Sequence, residues 1–156
     1  MRQRRATIED YKELINLRLA YLRTDYSALS KAQERQIRAQ LPAYFAQHLE
    51  QDCFIYLAEE HEAIAACAFL LVSEKPANPT FPSGKTGAVM NVYTRPVYRR
   101  RGFARALMEQ LIADARQMRL SYLELKATQE GLPLYQSLGF VREIAKYAPM
   151  RLVLGE

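Results

Sequence analysis

The stretch Val89–Leu111, which reads VMNVYTRPVYRRRGFARALMEQL, decides the fold because it contains a strand, a basic turn and the start of a helix in succession. β-Branched and aromatic residues predict a strand at its beginning, and Pro96 ends that strand because it lacks a backbone donor and restricts Arg95 to extended geometry. From about Gly102 onward, apolar residues at helical spacing predict an amphipathic helix with one buried face. They are Ala104, Leu107, Met108, Leu111, Ile112, Ala115 and Met118.

The basic turn between this strand and this helix predicts an anion site. It holds five arginines and no acidic residue from Arg95 to Arg105. A helix dipole disfavours cations at the helix start, whereas the unpaired N–H groups there attract anions. Gly102 would let the backbone approach a ligand without a Cβ, and Ala104 keeps the next turn small. A bound polyphosphate would therefore explain why the five arginines lie at a helix start. The alternative interpretation is that they are ordinary surface residues exposed to solvent.

The composition is that of an ordinary globular protein. Apolar residues make up 49% of the 156 residues and charged residues 25%, which argues against disorder. This length predicts one domain over residues 1–156, large enough to bury a core without disulfides or a metal ion. The longest apolar run, Ala63–Val72, is too short to cross a bilayer, and the basic N-terminus lacks the apolar core of a signal peptide. We expect a cytoplasmic protein without a membrane partner.

The positive charge is concentrated in the second half of the chain. The net charge is +5, and residues 1–88 carry 11 Lys and Arg against 11 Asp and Glu, whereas residues 89–156 carry 11 against 6. This asymmetry favours a local anion site over a nucleic-acid-binding surface, which would spread its cations along a face. We expect no nucleic-acid partner, although binding of nucleic acid through the arginines stays open as an alternative.

The cysteines and histidines do not form a metal-ligand pattern, so no metal site is predicted. Cys53 and Cys67 lie in apolar segments and are interpreted as small buried hydrophobic residues rather than a disulfide, with a reactive thiol as the less favoured alternative. His48 and His61 are the only histidines, and structural or solvated roles suit both.

The N-terminal segment predicts two helices. Thr7 is a cap followed by acids, and the first helix runs to about Arg23. Ser30 and Gln33 form a capping box that opens the second helix. Pro42 lies within the helical pattern, so we expect a kink or two short helices. The apolar stripe of the first helix is Tyr11, Leu14, Ile15, Leu19 and Leu22.

The middle of the chain predicts a hairpin followed by a long loop. Phe54–Ala58 and Ala63–Val72 are apolar runs joined by four polar residues, the pattern of two antiparallel strands. Glu74–Lys85 contains three prolines and a glycine, which excludes regular structure and predicts an exposed loop. Loops of this length often carry function.

The C-terminal half predicts a parallel crossover and two closing strands. A strand at Gly87–Thr94, the arginine-led helix and a further strand at Tyr122–Ala127 follow one another, which implies parallel strands. Gly131–Leu138 predicts a short helix that a glycine ends. Phe140–Ile144 and Tyr147–Leu154 are predicted as the last two strands.

Two segments resemble the signature of the GCN5-related N-acetyltransferases. Arg99–Ala104 matches the Arg/Gln-x-x-Gly-x-Gly/Ala loop for acyl-coenzyme A, and Leu134–Phe140 matches the downstream pattern in which a tyrosine precedes Leu-Gly-Phe. The resemblance is close from about Gly87 onward, and in the N-terminal half it extends only to the order of elements. It implies a mixed α/β acyl-CoA N-acyltransferase fold: a mostly antiparallel central sheet with one splayed parallel strand pair, flanked by about four helices.

The resemblance also implies acetyl-coenzyme A as the cofactor. Backbone N–H groups of Arg100–Arg105 would hold the pyrophosphate, and Arg99 and Arg101 would add positive charge or contact the 3′-phosphate. Backbone groups of Val92 and Thr94 would bond the pantetheine amides in the gap between the splayed strands. The implied cofactor-binding residues are Val92, Tyr93, Thr94, Arg99, Arg100, Arg101, Gly102, Phe103, Ala104, Arg105 and Thr128, the last of which replaces an asparagine common in the family.

Tyr135 matches the family's general acid, which protonates the departing coenzyme A thiolate. By composition alone, a core aromatic residue of a short helix would be the simpler interpretation, because the chain has 10 tyrosines. A general base is not identified: many members carry a glutamate on the central strand, and this strand has no acid. Asn91 could orient a water, and Glu59 and Glu60 are the candidates for a base.

The leading hypothesis is an acetyl-CoA-dependent N-acetyltransferase that transfers acetyl directly to a primary amine of a small molecule, a peptide or a protein. The alternative is a non-catalytic acyl-CoA sensor or regulatory module of the same fold. The acceptor is not specified by the sequence. Homodimers are common in the family, and a homodimer is an open possibility here.

Overall fold

The structure is a computed structural model that describes residues 1–155. The chain folds as two compact units, Met1–Lys126 and the residues from Ala127 onward. The first unit holds a five-stranded sheet and three α-helices, and the second holds one short helix. The expected single domain over residues 1–156 stays a prediction.

The strands of the sheet lie side by side in chain order. β1 to β4 are antiparallel neighbours, whereas β4 and β5 are parallel. The predicted hairpin, organising strand and parallel crossover are therefore confirmed. The strands are β1 (Arg2–Arg5), β2 (Cys53–Glu60), β3 (Ala63–Glu74), β4 (Lys85–Thr94) and β5 (Leu123–Glu124). The predicted loop, residues 75–84, connects β3 and β4 without helix or strand.

The helices begin at the predicted caps. Thr7 N–H donates to Asp10 Oδ2 at 2.8 Å ahead of α1, and the Ser30 hydroxyl accepts from Gln33 N at 3.1 Å ahead of α2. The second helix continues through Pro42 as one unit, so the expected division into two short helices is wrong. The helices are α1 (Tyr11–Asp25), α2 (Lys31–His48), α3 (Phe103–Gln117) and α4 (Leu132–Ser137), with a 3₁₀ turn at Ile8–Asp10.

Packing on the sheet explains why α2 stays intact at Pro42. Proline removes one backbone hydrogen bond, and its ring crowds the carbonyl one turn back, at a cost of about 3 kcal/mol. Leu41 and Phe45, on either side of Pro42, are both buried in the core against the sheet. Burial of two such side chains contributes about 3–6 kcal/mol, which is enough to offset that cost.

The helices of the first unit cover the two faces of the sheet. On one face, α1 and α2 pack against alternate residues of β2 and β3, among them Ile55, Leu57 and Cys67. On the other face lies α3, where Tyr56 donates a hydrogen bond to Asp114 Oδ2 at 2.9 Å. The predicted stripe of α3 is partly confirmed: Leu107, Met108, Leu111 and Ala115 are buried, together with Phe103, which the periodicity missed.

The second unit contains α4 and an irregular tail. Gly139 follows α4 with a φ of 99°, as expected for a glycine that ends a helix. The predicted strands at Phe140–Ile144 and Tyr147–Leu154 are wrong, because no strand follows Glu124 in the described part of the chain. Val141 and Ile144 are 86% and 96% exposed, so burial of their side chains does not stabilise a strand here.

Candidate functional site

The turn before α3 has the backbone of an anion site. Gly102 precedes the helix with a φ of 84°, and Arg100 also has a positive φ, 59°. The first helical hydrogen bond runs from Ala106 N to Gly102 O at 3.1 Å. The N–H groups of Phe103 and Ala104 therefore have no intrahelical acceptor and point toward the space before the helix. A negatively charged group is stabilised there by these donors and by the helix dipole.

Gly102 is required by the backbone conformation. A Cβ at this position would have no heavy atom within 4 Å, so no protein atom excludes a side chain. The φ of 84° is the left-handed region, which costs an L residue about 1–2 kcal/mol. Within the chain itself, the conformation rather than close packing explains this glycine.

Phe103 anchors the start of α3. Its side chain is only 3% exposed, and its ring packs edge-on against Tyr98 with 5.7 Å between the centroids. This contact fixes the turn between the end of β4 and the helix. Because the ring is buried, Phe103 can offer only its backbone to a ligand.

The arginines of the turn differ in what they contact. Arg99 Nε donates to Thr94 O at 3.1 Å, and its guanidinium carbon lies 6.0 Å from the centre of the Tyr93 ring. Arg101 Nη2 donates to Glu60 Oε1 at 2.7 Å, and this cation holds the pKa of Glu60 below its usual value. Arg99 thus ties the turn to β4, and Arg101 ties it to β2.

Arg100 and Arg105 complete the basic turn. Arg100 is exposed, and its left-handed backbone belongs to the same bend as Gly102. Arg105 is exposed on the first turn of α3, where its Nη1 lies 3.6 Å from Glu109 Oε1. Glu13, Glu60 and Glu109 form ion pairs with Arg95, Arg101 and Arg105 of this turn.

The edge of β4 is open beyond its short parallel ladder. β4 and β5 pair only at Gly87 with Leu123 and at Ala88 with Glu124. Arg95 N donates to Ala65 O of the neighbouring β3 segment at 2.9 Å, and in an antiparallel ladder the residue before it then faces away from β3. The N–H of Thr94 accordingly faces the open edge, as does its C=O, which accepts from Arg99 Nε. This splayed strand pair is the one that the resemblance implies.

A bulge in β4 lies beside this open edge. The β3–β4 register shifts between Cys67 and Phe69, opposite Asn91, which has a φ of 52°. Asparagine tolerates this left-handed conformation better than most residues. Asn91 is 1% exposed, its Nδ2 lies 3.6 Å from Cys67 Sγ, and its Oδ1 accepts from Arg18 Nη1 at 3.1 Å.

Arg18 of α1 is a residue that sequence reasoning missed. It lies between Leu17 and Leu19, both fully buried, so a cation next to an apolar stripe was the available signal. The amide of Asn91, which could orient a water, contacts both Arg18 and Cys67.

The two candidates for a general base are both held by arginines. Glu59 Oε1 accepts from Arg4 Nε at 2.8 Å, and Glu60 is bound to Arg101. The hydrogen bond from Arg101 lowers the pKa of Glu60, which weakens this carboxylate as a base.

The two cysteines are buried and reduced, as predicted. Burial raises the pKa of Cys53 from 9.0 to about 11 and that of Cys67 to about 12. At neutral pH both are therefore protonated thiols, which are poor nucleophiles.

In the second unit, Gly131 contacts both predicted site residues, Thr128 and Tyr135. Gly131 N–H donates to the Thr128 hydroxyl at 3.1 Å, so Thr128 caps the turn that begins α4. A Cβ on Gly131 would lie 3.0 Å from Cε2 of Tyr135, so glycine leaves room for this ring. The Tyr135 ring packs edge-on against Phe140, with 6.0 Å between the centroids.

Comparison with known proteins identifies the family. The model of the acetyltransferase (GNAT) family matches residues 12–140 of the sequence. The chain belongs to the GNAT family. The match extends over both the basic turn and α4, so the resemblance that the two sequence segments indicated is confirmed.

Solved structures share the GNAT fold over nearly the whole chain. A predicted acetyltransferase from Clostridium acetobutylicum, solved with acetyl-CoA, is 25% identical, with a TM-score of 0.83 over 96% of this chain and 95% of that one. A GCN5-related N-acetyltransferase from Ralstonia eutropha JMP134 is 27% identical, with a TM-score of 0.78 over 96% and 97%. No curated protein matches the sequence.

Residues 1–155 contain neither a cluster of metal ligands nor a membrane-spanning helix. Three or more potential metal ligands do not come together anywhere in this part of the chain. None of its helices is both long and apolar enough to cross a bilayer.

Proposed function

We propose that this GNAT-family chain is an acetyl-CoA-dependent N-acetyltransferase that transfers acetyl directly to a primary amine of a small molecule or a peptide. The proposal rests on two features that follow one another in the chain: the open edge of β4 and the start of α3, where an anion can bind. The positive φ of Gly102 begins α3 a few residues after Thr94, whose backbone faces the open edge of β4. A ligand with a polyphosphate and an amide-bearing arm matches both features.

The phosphate end would be held by the backbone from Arg100 to Arg105, including the helix-start donors of Phe103 and Ala104. Arg99 and Arg101 contribute charge while their side chains brace the turn against Thr94 and Glu60. The amide-bearing arm would follow β4 at Val92, Tyr93 and Thr94, as an added strand. Thr128 belongs to the proposal as a contact from the second unit.

When bound, acetyl-CoA supplies an activated acetyl group and a thiolate leaving group. Tyr135 is proposed as the general acid that gives its proton to that thiolate. Its family position supports this role, and Gly131 supports it by leaving space for the ring. Transfer without a covalent enzyme intermediate agrees with two buried thiols that stay protonated at neutral pH.

A non-catalytic acyl-CoA sensor is the second candidate. It is favoured by one observation: β4 offers no carboxylate, and Glu59 and Glu60 are both bound to arginines. In the enzyme, the amine would then lose its proton through water. A homodimer and a cytoplasmic location remain predictions from sequence.

An acceptor screen separates the two candidates. Purified protein with acetyl-CoA and a panel of amines should release the thiol of coenzyme A, with acetylated amine formed in equal amount. A sensor would bind acetyl-CoA and release no thiol with any acceptor.

A further inference from the structure

Arg18 is a cation beside the open part of β4. Its Nη1 donates to Asn91 Oδ1 at 3.1 Å, and Asn91 lies in the bulge one residue before Val92. The β4–β5 ladder has already ended at Ala88. The guanidinium therefore lies on the α1 face of the sheet, next to the strand along which the acyl arm is proposed to run.

Among residues 1–155, Arg18 forms no ion pair, unlike Arg4, Arg5 and Arg95 near the sheet. Arg4 contacts Asp10 and Glu59, Arg5 contacts Glu50, and Arg95 contacts Glu13. The only hydrogen bond of Arg18 in this part of the chain goes to the neutral amide of Asn91.

Among residues 1–155, no carboxylate lies within ion-pair distance of Arg18, although Asp25 and Asp52 act on the same phenols as Arg18 does. Tyr21 and Tyr44 are near enough for its charge to act on their phenols. Burial raises the pKa of both phenols, so both are neutral at physiological pH. Arg18 is itself partly buried. A partly desolvated cation without an anion is costly, so this geometry calls for an anionic group from outside the chain.

We propose that the amine acceptor carries an anionic group, a carboxylate or a phosphate, that binds Arg18. Asn91 positions the guanidinium by occupying one of its donors, which leaves a planar fork of N–H groups for the anion. Arg18 is then a residue that determines acceptor specificity. This inference rests on the proposed acetyltransferase function.

The test compares acceptors that differ only in charge. α-Amino acids and their carboxamides form matched pairs, and ω-amino acids and aminoalkyl phosphates with their neutral counterparts extend the set. The wild-type protein should acetylate the anionic member with a kcat/KM about 10- to 100-fold higher, mainly through a lower KM, which is the range for a hydrogen bond to a charged group.

Variants at position 18 assign the preference to the guanidinium. Arg18→Gln should remove the discrimination between acid and amide, Arg18→Lys should keep part of it, and the exposed Arg35→Gln on α2 should keep all of it. Melting temperature and calorimetric affinity for coenzyme A show whether each variant is folded. Calorimetry of an anionic acceptor with the coenzyme A complex gives a readout that does not depend on turnover, and Arg18→Gln should abolish that binding.

The outcomes separate this inference from the proposed function. A wild-type preference for the carboxamides, or discrimination that survives in folded Arg18→Gln, overturns the inference and leaves the acetyltransferase intact. If acetyl-CoA binds and neither class of acceptor is acetylated, the proposed function fails, and the inference falls with it.

Discussion

Gly102 meets two separate demands at the start of α3. Its φ of 84° favours glycine, and the N–H groups beyond it form the proposed phosphate site. Gly102→Glu should abolish coenzyme A binding, because its carboxylate would lie at the helix start and repel or replace the phosphates. Isothermal calorimetry checks this, and unchanged affinity in a folded variant would show that the turn is not the phosphate site.

Gly139→Ala is a matched control for the strain at Gly102. Gly139 has a φ of 99°, and a Cβ there would also meet nothing within 4 Å. Gly102→Ala and Gly139→Ala should each lower the free energy of unfolding by about 1–2 kcal/mol. Only changes at Gly102 should weaken coenzyme A binding, so equal loss of affinity in both variants would point to a general effect of instability.

Tyr135→Phe keeps the ring that packs on Phe140 and removes only the hydroxyl. We expect turnover to fall about 10²-fold or more, the range for loss of a general acid, with coenzyme A affinity and melting temperature nearly unchanged. Steady-state kinetics and calorimetry measure these quantities, with the exposed Tyr147→Phe as the control. Normal turnover, or a loss that follows a drop in stability, would rule out the catalytic role.

The buried thiols predict a pH dependence of stability. Burial raises the pKa of Cys67 from 9.0 to about 12 and that of Cys53 to about 11. A group whose pKa is raised on folding stabilises the protein below its unfolded pKa, and this contribution is lost as the pH rises toward the folded value. The melting temperature should therefore fall from pH 9 to 11.

Cys67→Ala should flatten this decline, whatever its effect on stability at pH 7. The buried phenols of Tyr44 and Tyr56, whose pKa values are also raised, remain in both proteins and act equally on both curves. Parallel curves for the variant and the wild type would mean that Cys67 does not titrate in this range.

At the residue scale, the sequence indicated where the turn needs a glycine but not which residues its side chains contact. Gly102 was recognised because glycine at a helix start has a conformational meaning. The pairing of Arg101 with Glu60 and of Arg18 with Asn91 joins residues far apart in the chain, and local periodicity carries no information about such contacts.

At the element scale, the open edge of β4 makes a prediction about hydrogen exchange. The amide of Thr94 faces the open edge, whereas that of Arg95 bonds Ala65 O. Coenzyme A should slow the exchange of the Thr94 amide at least tenfold, as an added strand would, and leave that of Arg95 nearly unchanged. NMR-detected exchange resolves the two neighbours, and equal rates with and without coenzyme A would contradict the proposed course of the ligand.

Elements with strong periodicity or clear caps were predictable. α1 and α3 have amphipathic stripes, and the Ser30–Gln33 capping box located the start of α2. The division of α2 into two short helices at Pro42 was not found, because a helix tolerates a single proline when the neighbouring residues pack well on the sheet.

The last two strands could not be judged from alternation alone. Phe140–Ile144 and Tyr147–Leu154 have suitable apolar residues, but a strand exists only where another backbone pairs with it. β5 was also expected over Tyr122–Ala127 and forms only at Leu123–Glu124, where β4 provides a partner. The sequence shows which segments favour a strand, but only the folded chain determines whether another backbone lies beside them to pair with.

At the scale of the whole molecule, the distribution of positive charge agrees with the position of the proposed ligand site. The excess of cations lies in the half of the chain that forms the turn, α3 and the second unit, and the net charge is +5. In this structure the start of α3 follows the open edge of β4, so cations near this point would act on the ligand proposed to bind there. A general surface for nucleic acid would need a different distribution of charge.

The central claim is that this chain transfers acetyl from acetyl-CoA to an amine, and turnover with purified protein tests it most directly. Thiol release and mass-spectrometric detection of the acetylated amine should rise together, in equal amounts, for at least one class of amine, and Gly102→Glu should show neither. Calorimetric binding of acetyl-CoA without thiol release, across a panel of small amines and peptides, would contradict the claim and identify the chain as a sensor.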